Sequence, residues 1–294
     1  MRPAQLKIEL ALELHRQGRL DEAASEYRDI LRTHPDHSDA LHLLGMITIQ
    51  RGNPAQAEQL FKRAIAGNDK VPPFHFHHGF ALEAQGKWEE AEASYRRVLE
   101  LAPDEPEAMN NLGNVLTAAG KSQEAAACYR KLLQINPNHA VAYNNLGNVL
   151  WHLGEKDDAE AAYRKAIALK PGFAEALGNL GNRLREKEAF REALVCYQQA
   201  VAAQPENPVL FNNLGVTLWA LEEYDDAMGF YRKALALNPN HADALANLGV
   251  GLWRADDLDA AEDHFSKALA LRPNDAVFQK NLQDIRDARQ KKPH

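Results

Sequence analysis

Asparagine recurs along this chain at a fixed interval, and its side chain could do specific hydrogen-bonding chemistry. Five asparagines each stand thirty-four residues apart: Asn111, Asn145, Asn179, Asn213 and Asn247. Others join the row one residue earlier, at Asn110, Asn144 and Asn212, and three residues later, at Asn114, Asn148 and Asn182. A side-chain amide both donates and accepts, so a row of amides can pair with the N–H and C=O groups of an extended peptide, whatever its sequence. The row predicts a peptide-binding surface.

Duplication offers a second explanation of the asparagine row. If the repeated units are copies of one ancestor, they carry asparagine by descent. Asparagine in a helix interior is less favourable than alanine by up to about 0.7 kcal/mol, so its recurrence on an exposed face needs a reason. That cost favours the binding interpretation, and inheritance stays open as the alternative.

Three tryptophans also share one position of the repeat: Trp151, Trp219 and Trp253. Large amphipathic rings are frequent binding anchors, so we include them in the predicted peptide-binding surface. The alternative is that each ring covers the edge of a neighbouring helix.

Signatures of catalysis and of cofactor binding are absent from the sequence. It has no phosphate-binding Gly-Lys-Ser/Thr loop, no Gly-x-Ser-x-Gly elbow and no His-Glu-x-x-His motif. His75 and His78 lie one helical turn apart, with His42 one unit earlier, a spacing that a metal accepts. Because the positions of His75 and His78 are apolar in other units, we interpret these two rings as packing groups. We expect no enzyme, no cofactor and no metal site.

Other residue types recur at the same interval of thirty-four residues as the asparagines, and they define the elements that must position them. Glycine stands at Gly45, Gly79, Gly113, Gly147, Gly181, Gly215 and Gly249; alanine at Ala23, Ala57, Ala91, Ala125, Ala159, Ala193, Ala227 and Ala261; and an aromatic ring at Tyr27, Phe61, Tyr95, Tyr129, Tyr163, Tyr197, Tyr231 and Phe265. A fixed period of this length is typical of a solenoid, in which each unit buries its apolar face against its neighbours.

Each unit has the pattern of two helices joined by a tight turn. In one of them, Met109, Leu112 and Leu116 follow helical spacing, and Gly120 then breaks the run. A second helical pattern follows and ends before Pro137. The unit is therefore a helical hairpin.

These residues resemble the tetratricopeptide repeat family, whose pattern is read here at Asn111-Leu112-Gly113, Leu116, Gly120, Ala125, Tyr129 and Pro137. The resemblance implies an all-α, right-handed superhelical solenoid of eight hairpins in residues 4–275, namely 4–37, 38–71, 72–105, 106–139, 140–173, 174–207, 208–241 and 242–275, with the asparagines lining its hollow. Residues 276–294 are predicted to form a capping helix and a polar tail. The asparagine row itself resembles the ladder in the repeat region of O-linked N-acetylglucosamine transferase, which holds extended polypeptides by their backbone.

The units at the two ends depart from the pattern. In the last three, the turn glycine is replaced by Glu188, Glu222 and Asp256, which predicts a loop of slightly different shape. In the first three, the asparagines give way to apolar residues on the same face: Ile8, Leu12, Met46, Ile49, Phe76 and Phe80. These could bind an apolar segment or a partner helix, or bury against a second copy in a homodimer.

The composition limits the kinds of partner and the cellular compartment that the sequence predicts. A formal charge of −7 and a pI near 6.0 argue against nucleic acid. No apolar segment suggests a membrane partner or a signal peptide. Cys128 and Cys196 occupy equivalent positions two units apart, too far for a disulfide, so both are predicted to be free thiols in the cytoplasm.

The sequence thus predicts a non-enzymatic adaptor that binds protein or extended peptide. Two alternatives stay open. The chain could be the substrate-recognition arm of a glycosyltransferase of the O-linked N-acetylglucosamine transferase type, with the catalytic part absent or on another chain. It could also be an assembly scaffold with stable partners and little affinity for unfolded peptides.

Overall fold

A computed structural model describes residues 3–290 of the chain, with side chains from residue 7 onward. Within these residues all regular structure is helical and there is no strand. The helices are α1 (Pro3–Arg16), α2 (Leu20–Thr33), α3 (Ser38–Gln50), α4 (Pro54–Gly67), α5 (Pro72–Glu83), α6 (Trp88–Leu101), α7 (Pro106–Ala118), α8 (Ser122–Ile135), α9 (Ala140–His152), α10 (Lys156–Leu169), α11 (Ala174–Glu186), α12 (Phe190–Ala203), α13 (Pro208–Ala220), α14 (Tyr224–Leu237), α15 (Ala242–Arg254), α16 (Leu258–Leu271) and α17 (Ala276–Gln290).

The chain divides between Ala159 and Glu160 into two compact units. In the first unit, α1 packs on α2, α3 on α4, α5 on α6 and α7 on α8, and each hairpin packs on the next. In the second unit, α11 pairs with α12, α13 with α14 and α15 with α16 in the same way. This arrangement confirms the predicted fold class, an all-α solenoid of helical hairpins.

The predicted capping helix is also present. α17 packs on α16 and buries Phe278, Leu282 and Ile285 against it. Residues 291–294 of the predicted polar tail lie outside the described residues. Among the helices of residues 3–290, none has the length and apolar character that a bilayer span requires.

Glycine and the aromatic residue of each hairpin fit together. A Cβ added at Gly113 would lie 2.5 Å from the ring of Tyr129, and one at Gly45 would lie 2.5 Å from the ring of Phe61. Both rings are almost fully buried. The glycine column is therefore required because an aromatic ring of the same hairpin occupies the space of its missing side chain, which also brings the two helices close together.

The turns of the last three hairpins differ from the prediction. Glu188, Glu222 and Asp256 have φ angles of 59°, 66° and 65°, close to the 75° of Gly120. The backbone hydrogen bonds also match: Glu188 N–H donates to the Arg185 carbonyl at 3.0 Å, as Gly120 N–H does to Thr117. The prediction of an altered loop shape was wrong. The loop keeps its shape, and the acidic residues adopt a left-handed conformation at a cost of about 1 kcal/mol each.

Buried carboxylates link successive hairpins in the first unit. Glu58 is 2 % exposed, and it accepts hydrogen bonds from Lys62 in its own helix at 2.5 Å and from Lys87 in the next turn at 2.7 Å. Burial alone would raise the pKa of Glu58, but bonds from Lys62, Lys87 and Gln85 lower it to about 2. Glu92 repeats the arrangement with Arg96 and Lys121.

Candidate functional site

The first helix of each hairpin presents a partly exposed stripe, and most of the predicted asparagines lie on it. We call these residues the amide face. In the first unit it consists of Asn111, Asn114, Asn145 and Asn148; in the second unit it consists of Asn179, Asn182, Asn213 and Asn247. All eight are partly exposed. Helical spacing of three residues keeps the two positions of one helix on the same side.

A hydrogen-bonded network orients the amide face of the first unit. Asn145 Nδ2 in α9 donates to Asn114 Oδ1 in α7 at 3.0 Å, and the two helices touch directly. The Tyr129 hydroxyl donates to the same Asn114 oxygen at 2.7 Å. Both lone pairs of that oxygen are therefore used, which leaves the NH2 group of Asn114 for other partners.

The neighbouring asparagines of the first unit are bound more loosely. Asn111 Nδ2 lies 3.4 Å from the Tyr95 hydroxyl, which itself donates to a Glu83 carboxylate oxygen at 2.9 Å. Asn110 Nδ2 lies 3.4 Å from Asn111 Oδ1, and the Asn110 oxygen is buried with no partner. These long contacts leave the donors of Asn111 free to exchange for stronger partners.

The second unit repeats this chemistry with its own residues. The Tyr197 hydroxyl donates to Asn182 Oδ1 at 2.6 Å, as Tyr129 does to Asn114. Asn247 Nδ2 in α15 donates to Asn212 Oδ1 in α13 at 2.9 Å. In each unit, the asparagines are thus oriented by hydrogen bonds between neighbouring first helices and by hydrogen bonds from tyrosine hydroxyls of the second helices.

Two of the predicted binding residues lie inside the protein. Asn144 is 0 % exposed and Asn212 is 7 % exposed. They precede the amide face by one residue, about 100° around the helix, so their side chains enter the packing between hairpins. Placing these two at the surface was wrong. Asn110 is the one asparagine of that column that is partly exposed, and its binding role stays a prediction.

The tyrosine hydroxyls are the contribution that the sequence interpretation missed. The repeat pattern predicts only that these rings belong to the buried side of each hairpin. The signal was present, because an asparagine stands fifteen residues before the tyrosine in the pairs Asn114 and Tyr129, and Asn182 and Tyr197. A polar column at a constant offset from a tyrosine column indicates a recurring hydrogen bond.

The tryptophans pack against their own chain and are partly exposed. Trp219 meets Tyr224 edge-on at 4.7 Å between ring centroids, and the guanidinium of Arg254 lies 3.8 Å from the centroid of Tyr224. Lys156 Nζ lies 5.1 Å from the ring of Trp151, and Trp253 packs on the core of the last hairpin. The tryptophan rings therefore contact neighbouring residues of their own chain, as the alternative interpretation expects. A role for them in peptide binding stays a prediction.

The histidines of the second and third hairpins make hydrogen bonds within the chain. His42 Nε2 lies 3.0 Å from His77 Nδ1, which is 2.8 Å from the Pro73 carbonyl oxygen. Since a carbonyl only accepts, the proton resides on His77 Nδ1 and His42 Nε2 is unprotonated. Burial lowers the pKa of His42 to about 4.

The other two histidines are also engaged. His75 bonds to the Asp69 carbonyl at 2.8 Å, and His78 to the Ser94 hydroxyl at 3.0 Å. Burial lowers the pKa of His78 to about 4. Within the described part of the chain, no three groups of the histidine, cysteine or carboxylate type converge as metal ligands would.

Both cysteines are free thiols, as predicted. Burial raises the pKa of Cys128 to about 11, and its Sγ donates to the Met109 carbonyl at 3.2 Å. Burial also raises the pKa of Cys196. Neither thiol has the depressed pKa of a reactive nucleophile.

Most of the apolar residues that the sequence predicts on the exposed face of the first hairpins are exposed or partly exposed. Leu12, Met46, Ile49 and Phe76 are partly exposed, and Phe80 is 43 % exposed. Ile8 is the exception, because it is 7 % exposed and belongs to the core of the first hairpin. Its assignment to the exposed face was wrong for the same reason as that of Asn144.

Comparison with known families agrees with the repeat geometry. Models described as tetratricopeptide repeat match residues 8–72, 74–137, 104–172 and 208–274, and one described as TPR repeat matches residues 181–222. Among curated proteins, none matches the chain.

Solved structures with the same fold share little sequence with this chain. The Cut9-Hcn1 hetero-tetramer of the APC/C matches with a TM-score of 0.66 and 18 % identity, over 90 % of this chain and 52 % of that one, so this chain spans about half its length. A tetratricopeptide repeat protein from Parabacteroides merdae has a TM-score of 0.65 and 19 % identity, covering 84 % and 98 %. YrrB, titled a TPR protein with an unusual peptide-binding site, has a TM-score of 0.53 and 23 % identity, covering 63 % and 96 %.

Proposed function

Because the chain belongs to the tetratricopeptide repeat family, we propose that it is a non-enzymatic scaffold that binds extended polypeptide along its amide faces. The observation that carries the proposal is the row of partly exposed asparagines at one position of five consecutive hairpins. The description of YrrB as having a peptide-binding site supports a similar use of this fold.

Pre-orientation of the amides supports this function. A ligand pays less entropy when the groups that bind it are already fixed. Asn114 is held through its oxygen, so it offers two N–H donors to peptide carbonyls. Asn145 uses one hydrogen for Asn114, and its oxygen accepts one long contact of 3.5 Å from Asn144 Nδ2. Its other hydrogen and the second lone pair of its oxygen can meet a peptide C=O and N–H. The first unit therefore offers both kinds of partner that a peptide backbone needs.

The chemistry of the amide face favours recognition of backbone over side chains. Neutral amides discriminate weakly between charged and uncharged ligands, whereas they match the alternating donors and acceptors of an extended chain. The net charge of −7 disfavours nucleic acid as the ligand. Two free thiols suit a reducing compartment, and we propose the cytoplasm.

The test replaces one asparagine in each of three hairpins, as Asn145→Ala, Asn179→Ala and Asn213→Ala together. The probe is a fluorescein-labelled protein kept unfolded by reduction and alkylation, with binding followed by anisotropy. Each amide contributes up to about two hydrogen bonds worth roughly 0.5 to 1.5 kcal/mol, so affinity should fall at least tenfold. The matched control is Asn138→Ala with Asn240→Ala, which removes two exposed loop asparagines and should change nothing.

Thermal melting of the same variants separates binding from folding. Asn145 loses its bond to Asn114, but alanine is the better helix former, so the midpoint should stay within a few degrees. Unchanged affinity of the triple variant would overturn the proposal. Loss of affinity together with a large fall in melting temperature would assign these asparagines to structure instead.

A further inference from the structure

We propose that a second surface, in the first unit, binds a polypeptide segment in which apolar residues adjoin a lysine or arginine. The inference deepens the proposed polypeptide-binding role, on which it rests, but uses other side chains. We call the surface the apolar face. It consists of Leu12, Leu43, Met46, Ile49, Phe76 and Phe80.

The apolar face is continuous across the first helices of successive hairpins. Leu12 and Leu43 pack on the core of the first hairpin, while Met46 and Ile49 pack on that of the second. The helices α3 and α5 touch directly. Phe80 in α5 is 43 % exposed, a large fraction for a phenylalanine. A contiguous apolar patch of this kind marks an interaction surface.

A cavity of about 240 Å³ adjoins this face between α5 and α7. Pro72, Pro73, Phe76, His77 and Val98 line it, together with two carboxylates, Glu105 and Glu107. Its volume is below the ~300–1,000 Å³ of small-molecule sites, so it suits a single side chain. Burial lowers the pKa of His77, so the ring is uncharged near neutral pH and does not repel a cation.

The two carboxylates select what enters the cavity. Neither Glu105 nor Glu107 forms an ion pair with another described residue. Acidic residues at the start of α7 favour its helix dipole, which accounts for their presence at a helix end. It does not account for their position on the rim of an apolar cavity. A lysine or arginine can lay its aliphatic stem on the prolines and Phe76 while its charge reaches the carboxylates.

The first helices of the first three hairpins carry more acidic than basic residues in their described part. The acids are Glu9, Glu13, Asp39 and Glu83 and the bases are Lys7 and Arg16, of which Arg16 lies 3.9 Å from Glu13. In a symmetric dimer each patch would face its own copy, so these acids would repel one another. The charge pattern therefore favours a basic partner over a second copy of this chain.

The test compares three labelled twelve-residue peptides by fluorescence anisotropy at low salt. One combines leucine and phenylalanine with flanking lysines, the second replaces the lysines by glutamates, and the third replaces the apolar residues by serines. The first should bind at least tenfold more tightly than either of the others. Equal affinity for the lysine and glutamate peptides would overturn the proposal.

Two pairs of variants then assign the binding to residues. Glu105→Gln with Glu107→Gln should weaken the lysine peptide by roughly three- to tenfold, while Glu175→Gln, at the equivalent helix start of α11, should not. Phe80→Ala should weaken it by roughly tenfold, while Val209→Ala, which removes another exposed apolar side chain, should not. If the test variants match their controls, the apolar face is not the binding site.

The same measurements separate this inference from the proposed function. The triple asparagine variant should still bind the lysine peptide, and the Glu105 and Glu107 variant should still bind the unfolded protein probe. Sedimentation of the full chain tests whether a second copy of the chain covers the apolar face instead. A dimer that Phe80→Ala converts to a monomer would show that a second copy covers the face, and would overturn the proposal.

Discussion

The two units share one hairpin design but differ in what the first helices expose. The first unit carries phenylalanine, leucine and methionine over its first hairpins, and it buries His42 and His75 between neighbouring helices. Asparagine replaces these apolar residues on the later first helices of the first unit and continues through the second unit, which alone in the described part of the chain has non-glycine residues in its left-handed turns. The packing of glycine against an aromatic ring is the same in both. The shared scaffold therefore leaves the exposed stripe free to vary in chemistry.

The largest effect is expected from removing the buried tyrosine of a hairpin, which tests whether this ring contributes equally to stability in the two units. Tyr129→Ala in the first unit and Tyr197→Ala in the second each delete a buried ring and its hydroxyl bond to an asparagine. Each should lower the free energy of unfolding by about 3 to 5 kcal/mol, measured by urea titration. A much smaller loss in one unit would show that its hairpins rely on other contacts. Tyr224→Ala, at a partly exposed ring, is the control.

The next largest effect concerns pH, because acid should destabilise the first unit more than the second. A buried histidine whose folded pKa is lowered binds fewer protons folded than unfolded, so it favours folding at high pH and loses that contribution as pH falls from its ordinary value. His42 and His78, with pKa values of about 4 against 6.5, should therefore destabilise the first unit between pH 6.5 and 4, by on the order of 3 kcal/mol each.

Hydrogen exchange at pH 7 and pH 5 measures this difference. Amides of α3 to α6 should lose protection at pH 5 more than those of α13 to α16. His42→Gln with His78→Gln should remove most of the pH dependence. Below pH 4.5, Glu58 adds a further loss because its lowered pKa of about 2 means that protonation opposes folding. Equal loss of protection in both units would contradict this account.

A smaller effect should come from the turns of the second unit. Glu188→Gly, Glu222→Gly and Asp256→Gly each relieve a left-handed backbone, and each should raise the free energy of unfolding by roughly 0.5 to 1 kcal/mol. Gly120→Ala, in the first unit, should lower it by a similar amount. Urea midpoints provide the measurement. A neutral result for all three would mean that local contacts of these acidic residues offset the strain.

The smallest effect concerns the thiols. Cys128 and Cys196 should react with a thiol reagent in the denatured protein without prior reduction, and slowly in the folded protein, because burial raises the pKa of both. A thiol that required a reductant first would contradict their free state. Comparable slow rates in the folded protein would show that the two units protect equivalent positions equally.

Periodic columns made most of the fold predictable from the sequence. Glycine, alanine and aromatic residues at one interval define hairpins because only small residues fit beside a buried ring, as at Gly113 and Tyr129. The turn at Glu188 was misjudged because a few backbone hydrogen bonds outweigh a strain of about 1 kcal/mol. Composition alone does not reveal that balance.

The candidate site was less predictable than the fold. A helical wheel places Asn144 and Asn145 about 100° apart, but it does not say how far the neighbouring helices extend around that helix. The packing of those helices decided that Asn144 is buried and Asn145 is not. The bond between Asn114 and Tyr129 depends on how two helices approach. Such tertiary contacts become visible in a sequence only as a constant offset between columns.

The glycine and aromatic pair of each hairpin also bears on how such a chain can change length in evolution. Gly113 and Tyr129 lie in α7 and α8 of one hairpin, as Gly215 and Tyr231 lie in α13 and α14 of another. A genetic duplication or deletion of one whole interval therefore transfers the ring together with the space that receives it. Recombination in frame with this interval keeps every core complete, so the number of binding positions can evolve separately from the stability of each module.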